Sequence, residues 1–147
     1  LATIVKKGFK LDLSPYSITN SMFSELSLAQ NTLAFRWFRK VDFHSLNKLA
    51  TASFLVELGK LIISNYLIEN DNIDYFKDIS KQNFDITKAE VELLSTSTAN
   101  ISARIFKHWK FEEEIVDIMK YSDRPERASG KTKKIAAALH IIRSTIN

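Results

Sequence analysis

Cysteine is absent from all 147 residues, which excludes a disulfide framework and a thiolate metal site and makes a reducing compartment the simpler setting. Proline and glycine are scarce, at two and three copies, so few residues are present that would interrupt helices or build turn-rich sheets. The glycines, Gly8, Gly59 and Gly130, stand isolated, and no phosphate-cradling loop is assembled from them. His44, His108 and His140 have no short spacing that would set two ligands on one helical turn, and each reads as a surface or cap residue. No Ser-His-Asp order is present. No apolar run reaches the roughly 20 residues of a membrane span, and the start lacks a charged segment leading into an apolar one, so no membrane association is expected. An excess of one charge is nearly lacking too. The 21 Lys and Arg against 17 Asp and Glu leave a net charge of +4, too mild to indicate nucleic-acid binding by itself.

What remains is long helical periodicity in a chain that is 45% hydrophobic, enough for one all-α domain with a substantial core. Ser45 to Asn70 is its longest apolar segment and reads as one central buried helix, with Asp42 as N-cap. Its few polar residues, Ser53, Glu57, Lys60 and Ser64, recur at four, three and four positions, so they share a face. Two readings compete for this row, a surface i, i+3 ion pair of Glu57 and Lys60 worth about a few tenths of a kcal/mol and a remnant site.

Around this helix the chain reads as a succession of shorter ones. Leu1 to Leu13 is taken as the end of a helix, and Ser14-Pro15 opens a turn from which Tyr16 and Ile18 point inward. Ser27-Leu28-Ala29-Gln30 has the capping-box pattern, followed by a stripe of Leu33, Trp37 and Val41 in a helix to about Lys40 that Phe23 and Leu26 extend backwards. The cations beside Phe35, Trp37 and Phe38 suggest base stacking less than core packing, given the helical spacing. Asp71 or Asn72 caps a short amphipathic helix with Ile73, Phe76 and Ile79 inward. Phe84-Asp85-Ile86 is a connector, and Thr87-Lys88-Ala89-Glu90 is a second capping box. Ser95 to Thr98 marks a junction between helices. Glu112, Glu113 and Glu114 favour a helix N-terminus, with Lys120 near its end. The last segment is an amphipathic helix carrying Ile135, Leu139, Ile142 and Ile146. Arg124, Arg127, Lys131, Lys133 and Lys134 gather around its start as a possible anion-binding patch.

Phe54-Leu55-Val56-Glu57-Leu58-Gly59-Lys60-Leu61 resembles the second half of a helical motif in the HD-related output domains (HDOD), relatives of the HD metal-dependent phosphohydrolases. Gly59, Lys60 and Leu61 match, while Val56-Glu57 stands where the motif has His-Asp. Tyr16, Phe23, Trp37 and Trp109 resemble further family positions. Tyr121-Ser122-Asp123-Arg124-Pro125 keeps the proline of a His-His-x-Pro turn without its histidines, and another family histidine falls on Thr98. The resemblance runs from about Tyr16 to Pro125. It implies an HD-domain-like bundle of about six to eight helices in the bacterial cytoplasm. Leu1 is not a methionine and the resemblance begins in mid-domain, so residues 1–147 are expected to be the C-terminal larger part of an HDOD-type domain from a longer chain.

Val56, Glu57, Lys60, Thr98, Ser122 and Asp123 then read as a retired metal site, because without imidazoles two carboxylates hold a divalent ion poorly and Lys60 neutralises one of them. No catalytic residue, metal or cofactor is expected. The implied role is a non-catalytic signalling or regulatory module acting on a protein partner. Two alternatives remain, a residual pocket for a nucleotide or phosphate ester and a helical nucleic-acid-binding module, the latter disfavoured.

Overall fold

The computed structural model describes residues 12–83 and 85–146, so the helix end expected at Leu1–Leu13 falls, up to residue 11, outside the described residues, as does Phe84 of the connector. The described residues form eight α-helices joined by short turns and contain no strand: α1 (Asn20–Val41), α2 (Leu46–Leu55), α3 (Gly59–Glu69), α4 (Ile73–Gln82), α5 (Ile86–Leu94), α6 (Thr98–His108), α7 (Glu113–Tyr121) and α8 (Gly130–Ile146). The all-α class expected from the sequence holds.

The apolar segment is not one helix. It is divided between α2 and α3 by a tighter 3-10 turn at Val56–Leu58. The cause is a side chain from α6: Ser102 Oγ donates to the Val56 carbonyl at 2.5 Å and accepts from the Gly59 amide at 2.8 Å, inserting a hydroxyl into the helix's hydrogen-bond ladder. Gly59 makes this approach possible. A Cβ there would lie 2.3 Å from the Thr98 carbonyl oxygen and 2.9 Å from Ser102 Oγ, so the contact between α3 and α6 has no room for a side chain.

The two halves serve two cores. Leu49, Ala52 and Val56 pack with Phe38, Phe106, Met119, Leu139 and Ile142 in the larger one. Ile63 and Leu67 pack with Phe76, Ile79 and Ala89 in the smaller one. Counted as one stretch, Phe43–Glu69 is long and apolar enough by length and composition to cross a membrane, contrary to the sequence expectation, but 56% of its most apolar window is buried within the fold.

Several helix boundaries differ from the sequence reading. The first long helix begins at Asn20, capped by Thr19, whose hydroxyl accepts from the Met22 amide at 3.1 Å; the Ser27 box lies in its interior. Its buried face is Ser27, Gln30, Ala34 and Phe38, rotated from the expected stripe, and Val41 is exposed. The rotation is set by α2: Gln30 Nε2 and Asn31 Nδ2 donate to the carbonyls of Ser53 and Ala50 at 2.9 and 3.0 Å. Asp42 terminates α1 and holds the N-cap position of the 3-10 turn Phe43–Ser45 that leads into α2, where its carboxylate accepts from Ser45 Oγ at 2.8 Å. Asp85, ahead of the Thr87 box, caps α5 by accepting from the Thr87 amide at 2.9 Å. The Ser95–Thr98 junction lies as expected, with Ser95 in the left-handed region and Ser97 capping α6. The acidic triplet opens α7, where Glu112 and Glu114 also pair with Lys48 of α2.

Candidate functional site

The polar row of the central helix meets a row from α8. Glu57 is completely buried, and its carboxylate is gripped from two sides. Lys60, one turn further along, pairs with Oε1. Arg143 of α8 donates through Nε to Oε2 at 2.7 Å and through Nη2 to Oε1 at 3.3 Å. The same guanidinium donates through Nη1 to Asp123 Oδ1 at 3.0 Å, and Asp123 Oδ2 accepts from Ser97 Oγ at 2.7 Å. One planar cation therefore ties the middle of the central helix, the α6 cap and the turn after α7 together.

Burial alone raises the Glu57 carboxyl, but the charges and hydrogen bonds of Arg143 and Lys60 outweigh it and hold the group well below the usual carboxylate range. Burial likewise opposes the Arg143 charge, and Glu57 and Asp123 more than restore it. The group is thus an ionised, internally matched network.

A second buried carboxylate lies beside it. Glu90 of α5 is fully buried and accepts from the Tyr16 hydroxyl at 2.5 Å, the Thr98 amide at 2.8 Å and the Thr98 hydroxyl at 2.5 Å. The Tyr16 phenol is pushed well above its ordinary range by burial and by the Glu90 charge, and its ring lies 5.4 Å from the Lys60 ammonium. Beside these clusters a cavity of ≈ 370 Å³ opens to solvent, bordered by Lys60, Asp85, Glu90, Asp123, His140 and Arg143.

Of the positions singled out by resemblance, Glu57, Lys60 and Asp123 meet through Arg143, and Thr98 belongs to the neighbouring Glu90 cluster. Val56 instead faces the larger core with its side chain fully buried. The Ser122 hydroxyl donates to the Met119 carbonyl at 2.8 Å, closing the end of α7. The five basic residues do not share one face. Lys134 lies 3.7 Å from Asp42, and Lys131 acts electrostatically on Asp42 and Glu114, whereas Arg124 and Arg127, with Lys88, Lys120, Glu92 and Glu126, border a groove that adjoins the cavity and shares Asp85, Thr87 and Asp123 with it.

Arg143 and Glu90 are the residues that sequence reasoning passed over, and each had a signal. Arg143 lies on the apolar stripe of α8 with Ile135, Leu139, Ile142 and Ile146, and Glu90 lies on that of α5 with Ile86, Ala89, Leu93 and Leu94. A charge in an apolar stripe requires a buried partner.

The family model described as the HDOD domain matches residues 1–125. Among solved structures the chain is similar to a virulence factor from Campylobacter jejuni subsp. jejuni, with 28% identity and a TM-score of 0.74 over 91% of this chain and 50% of the other. This chain thus spans half the length of that relative. A comparison with curated proteins found no match.

Proposed function

The chain belongs to the HDOD family, and on that premise we propose that it is a non-catalytic signalling or regulatory domain of the bacterial cytoplasm, acting by contact with a protein partner. One observation carries the non-catalytic part: the Glu57 and Asp123 carboxylates, which resemblance places at former metal-ligand positions, are both held by the Arg143 guanidinium.

The residues present do not fit a catalytic metal. Val56 offers no side-chain donor, and the Thr98 and Ser122 hydroxyls are engaged with Glu90 and the Met119 carbonyl. Among the described residues no group of three or more His, Cys, Asp or Glu is arranged to hold an ion. A divalent ion entering between Glu57 and Asp123 would have to displace a buried guanidinium and then repel it. The polar cluster in this reading is a structural tie, and the retired site is its origin.

Elemental analysis of protein purified without chelator tests the reading. Far less than one equivalent of Fe, Mn or Zn per chain is expected, together with no hydrolysis of phosphate esters above background. One bound equivalent, or metal-dependent hydrolysis, overturns it.

A further inference from the structure

The turn between α6 and α7 presents two aromatic rings to solvent. Phe106 is buried and its ring is met by Trp109, edge-on at 5.6 Å, and by Phe111, tilted at 4.7 Å, yet Trp109 and Phe111 remain 38% and 40% exposed. Their backbone is firmly held. The Lys110 amide donates to the Lys107 carbonyl at 3.1 Å and the Phe111 amide to the Phe106 carbonyl at 2.9 Å, with Lys110 at a φ of 60°. This is the Schellman closure of a helix, complete with the apolar contact of Phe111 on Phe106.

For stability alone Lys110 is the wrong residue there. The left-handed region favours glycine, and Ser17, Asp71 and Ser95, which also occupy it, have the short polar side chains that tolerate it best. The dipole of α6 accounts for the cations of its last turn, Lys107 and His108, but not for one beyond it. Strain retained where glycine would relieve it points to a use for the side chain. Arg104, Lys107, His108 and Lys110 are all exposed, and none is ion-paired with a described carboxylate. The carboxylates that follow are partly spent, since Glu112 and Glu114 pair with Lys48 and only Glu113 of the triplet is unpaired among the described residues. Counted together, Arg104, Lys107, Lys110 and Lys48 exceed the three glutamates by one charge, and the unpaired cations are those that flank the two rings in sequence.

We propose that Trp109, Lys110 and Phe111, flanked by Arg104 and Lys107, form the contact surface for an acidic segment of a protein partner that also carries apolar side chains. The proposal rests on the reading of the domain as a protein-contacting module and names where that contact falls. Aromatic rings beside cations are the composition of interface hot spots: the rings supply apolar contact, and the cations select an acidic partner. Because the turn is already held in one conformation, little ordering is spent on binding. Single-stranded nucleic acid also stacks on aromatics, but it needs a continuous track of cations for its backbone, which a surplus of one charge does not provide.

The test is a titration of the ¹⁵N-labelled protein with a short peptide of Glu and Leu in amphipathic helical order, beside the same peptide with Lys for Glu and a single-stranded oligonucleotide. Saturable shifts centred on the Trp109 indole and the amides of Lys107 to Phe111 are expected with the Glu and Leu peptide, weakened about tenfold in Trp109→Ala. Lys110→Gly removes the charge and relieves the backbone, so binding should weaken about threefold while the thermal midpoint rises by about 2–4 °C. A lysine with only a structural role would not give that combination, and this variant decides the matter even if Trp109→Ala fails to fold. Shifts that are absent or scattered, equal binding of the Lys peptide, or a Lys110→Gly variant that binds unchanged or is destabilised overturn the proposal alone. An oligonucleotide binding these amides more tightly than the Glu and Leu peptide overturns it together with the protein-partner reading.

Discussion

Replacing Glu57 by alanine leaves the Arg143 guanidinium and the Lys60 ammonium buried, 9% and 6% exposed, without the carboxylate that neutralised both. Breaking a buried pair from one side costs about 3–5 kcal/mol, because the remaining charge stays desolvated. Asp123 still holds one Arg143 nitrogen, which puts the expected loss near the lower end of that range. Against a total stability of about 5–15 kcal/mol the loss is large. Glu57→Gln keeps the shape and one acceptor oxygen, and about 1.5–3 kcal/mol is expected for the charged hydrogen bonds it weakens. The double variant Glu57→Ala/Arg143→Ala removes both members, so its loss falls short of the sum of the singles by about 0.5–3 kcal/mol. Urea unfolding followed by circular dichroism measures the parent, Glu57→Ala, Glu57→Gln, Arg143→Ala and the double variant, with the slope checked for constancy.

The pH dependence follows from the same network. The folded-state carboxyl of Glu57 is depressed, so its contribution is fully present above the unfolded value near 4.5 and is lost as the pH falls below it towards the lower folded value. The parent should therefore lose stability below about pH 4.5 with a steeper slope than Glu57→Gln. A Glu57→Ala midpoint equal to or above the parent's, with an additive double variant, refutes the structural reading of the cluster.

Gly59→Ala should destabilise by about 1–3 kcal/mol or more, because its Cβ meets the Thr98 backbone carbonyl rather than a movable side chain; thermal unfolding reads this, and an unchanged midpoint refutes the close-approach argument. Tyr16 should be the last of the four tyrosines to ionise in an ultraviolet titration. Its folded value is raised, so the stability it contributes is intact below the unfolded value of about 10 and is lost as the pH rises above that, a loss that Tyr16→Phe should abolish. The residues Arg124 to Lys134 should give only weak nucleic-acid binding that fades with salt, since their charges are divided between surfaces. A sub-micromolar affinity at physiological salt, lost when Lys131, Lys133 and Lys134 become Ala, would contradict that.

The helical class, most of the helices and the polar face of the central segment were determined by the sequence itself, because period and residue chemistry are local properties. Ser53, Glu57, Lys60 and Ser64 align through the 3.6-residue repeat whatever surrounds them, and Ser95–Thr98 breaks a helix through its own side chains. Where capping competed, the local pattern was ambiguous: Thr19 and Asp85 serve as caps ahead of the Ser27 and Thr87 boxes, and the buried face of α1 follows Gln30 because α2 supplies its acceptor. The interruption at Val56–Leu58 was not legible, since it depends on a hydroxyl forty-six positions away in the chain. The partner of Glu57 was only half legible. Lys60 lies one turn along the same segment, but Arg143 is eighty-six positions distant, and only packing α8 against the central helix brings its guanidinium to that carboxylate. A charge in an apolar stripe tells that a partner is required; which charge answers it is decided by the crossing of helices, because burial and matching of charges are properties of the assembled core.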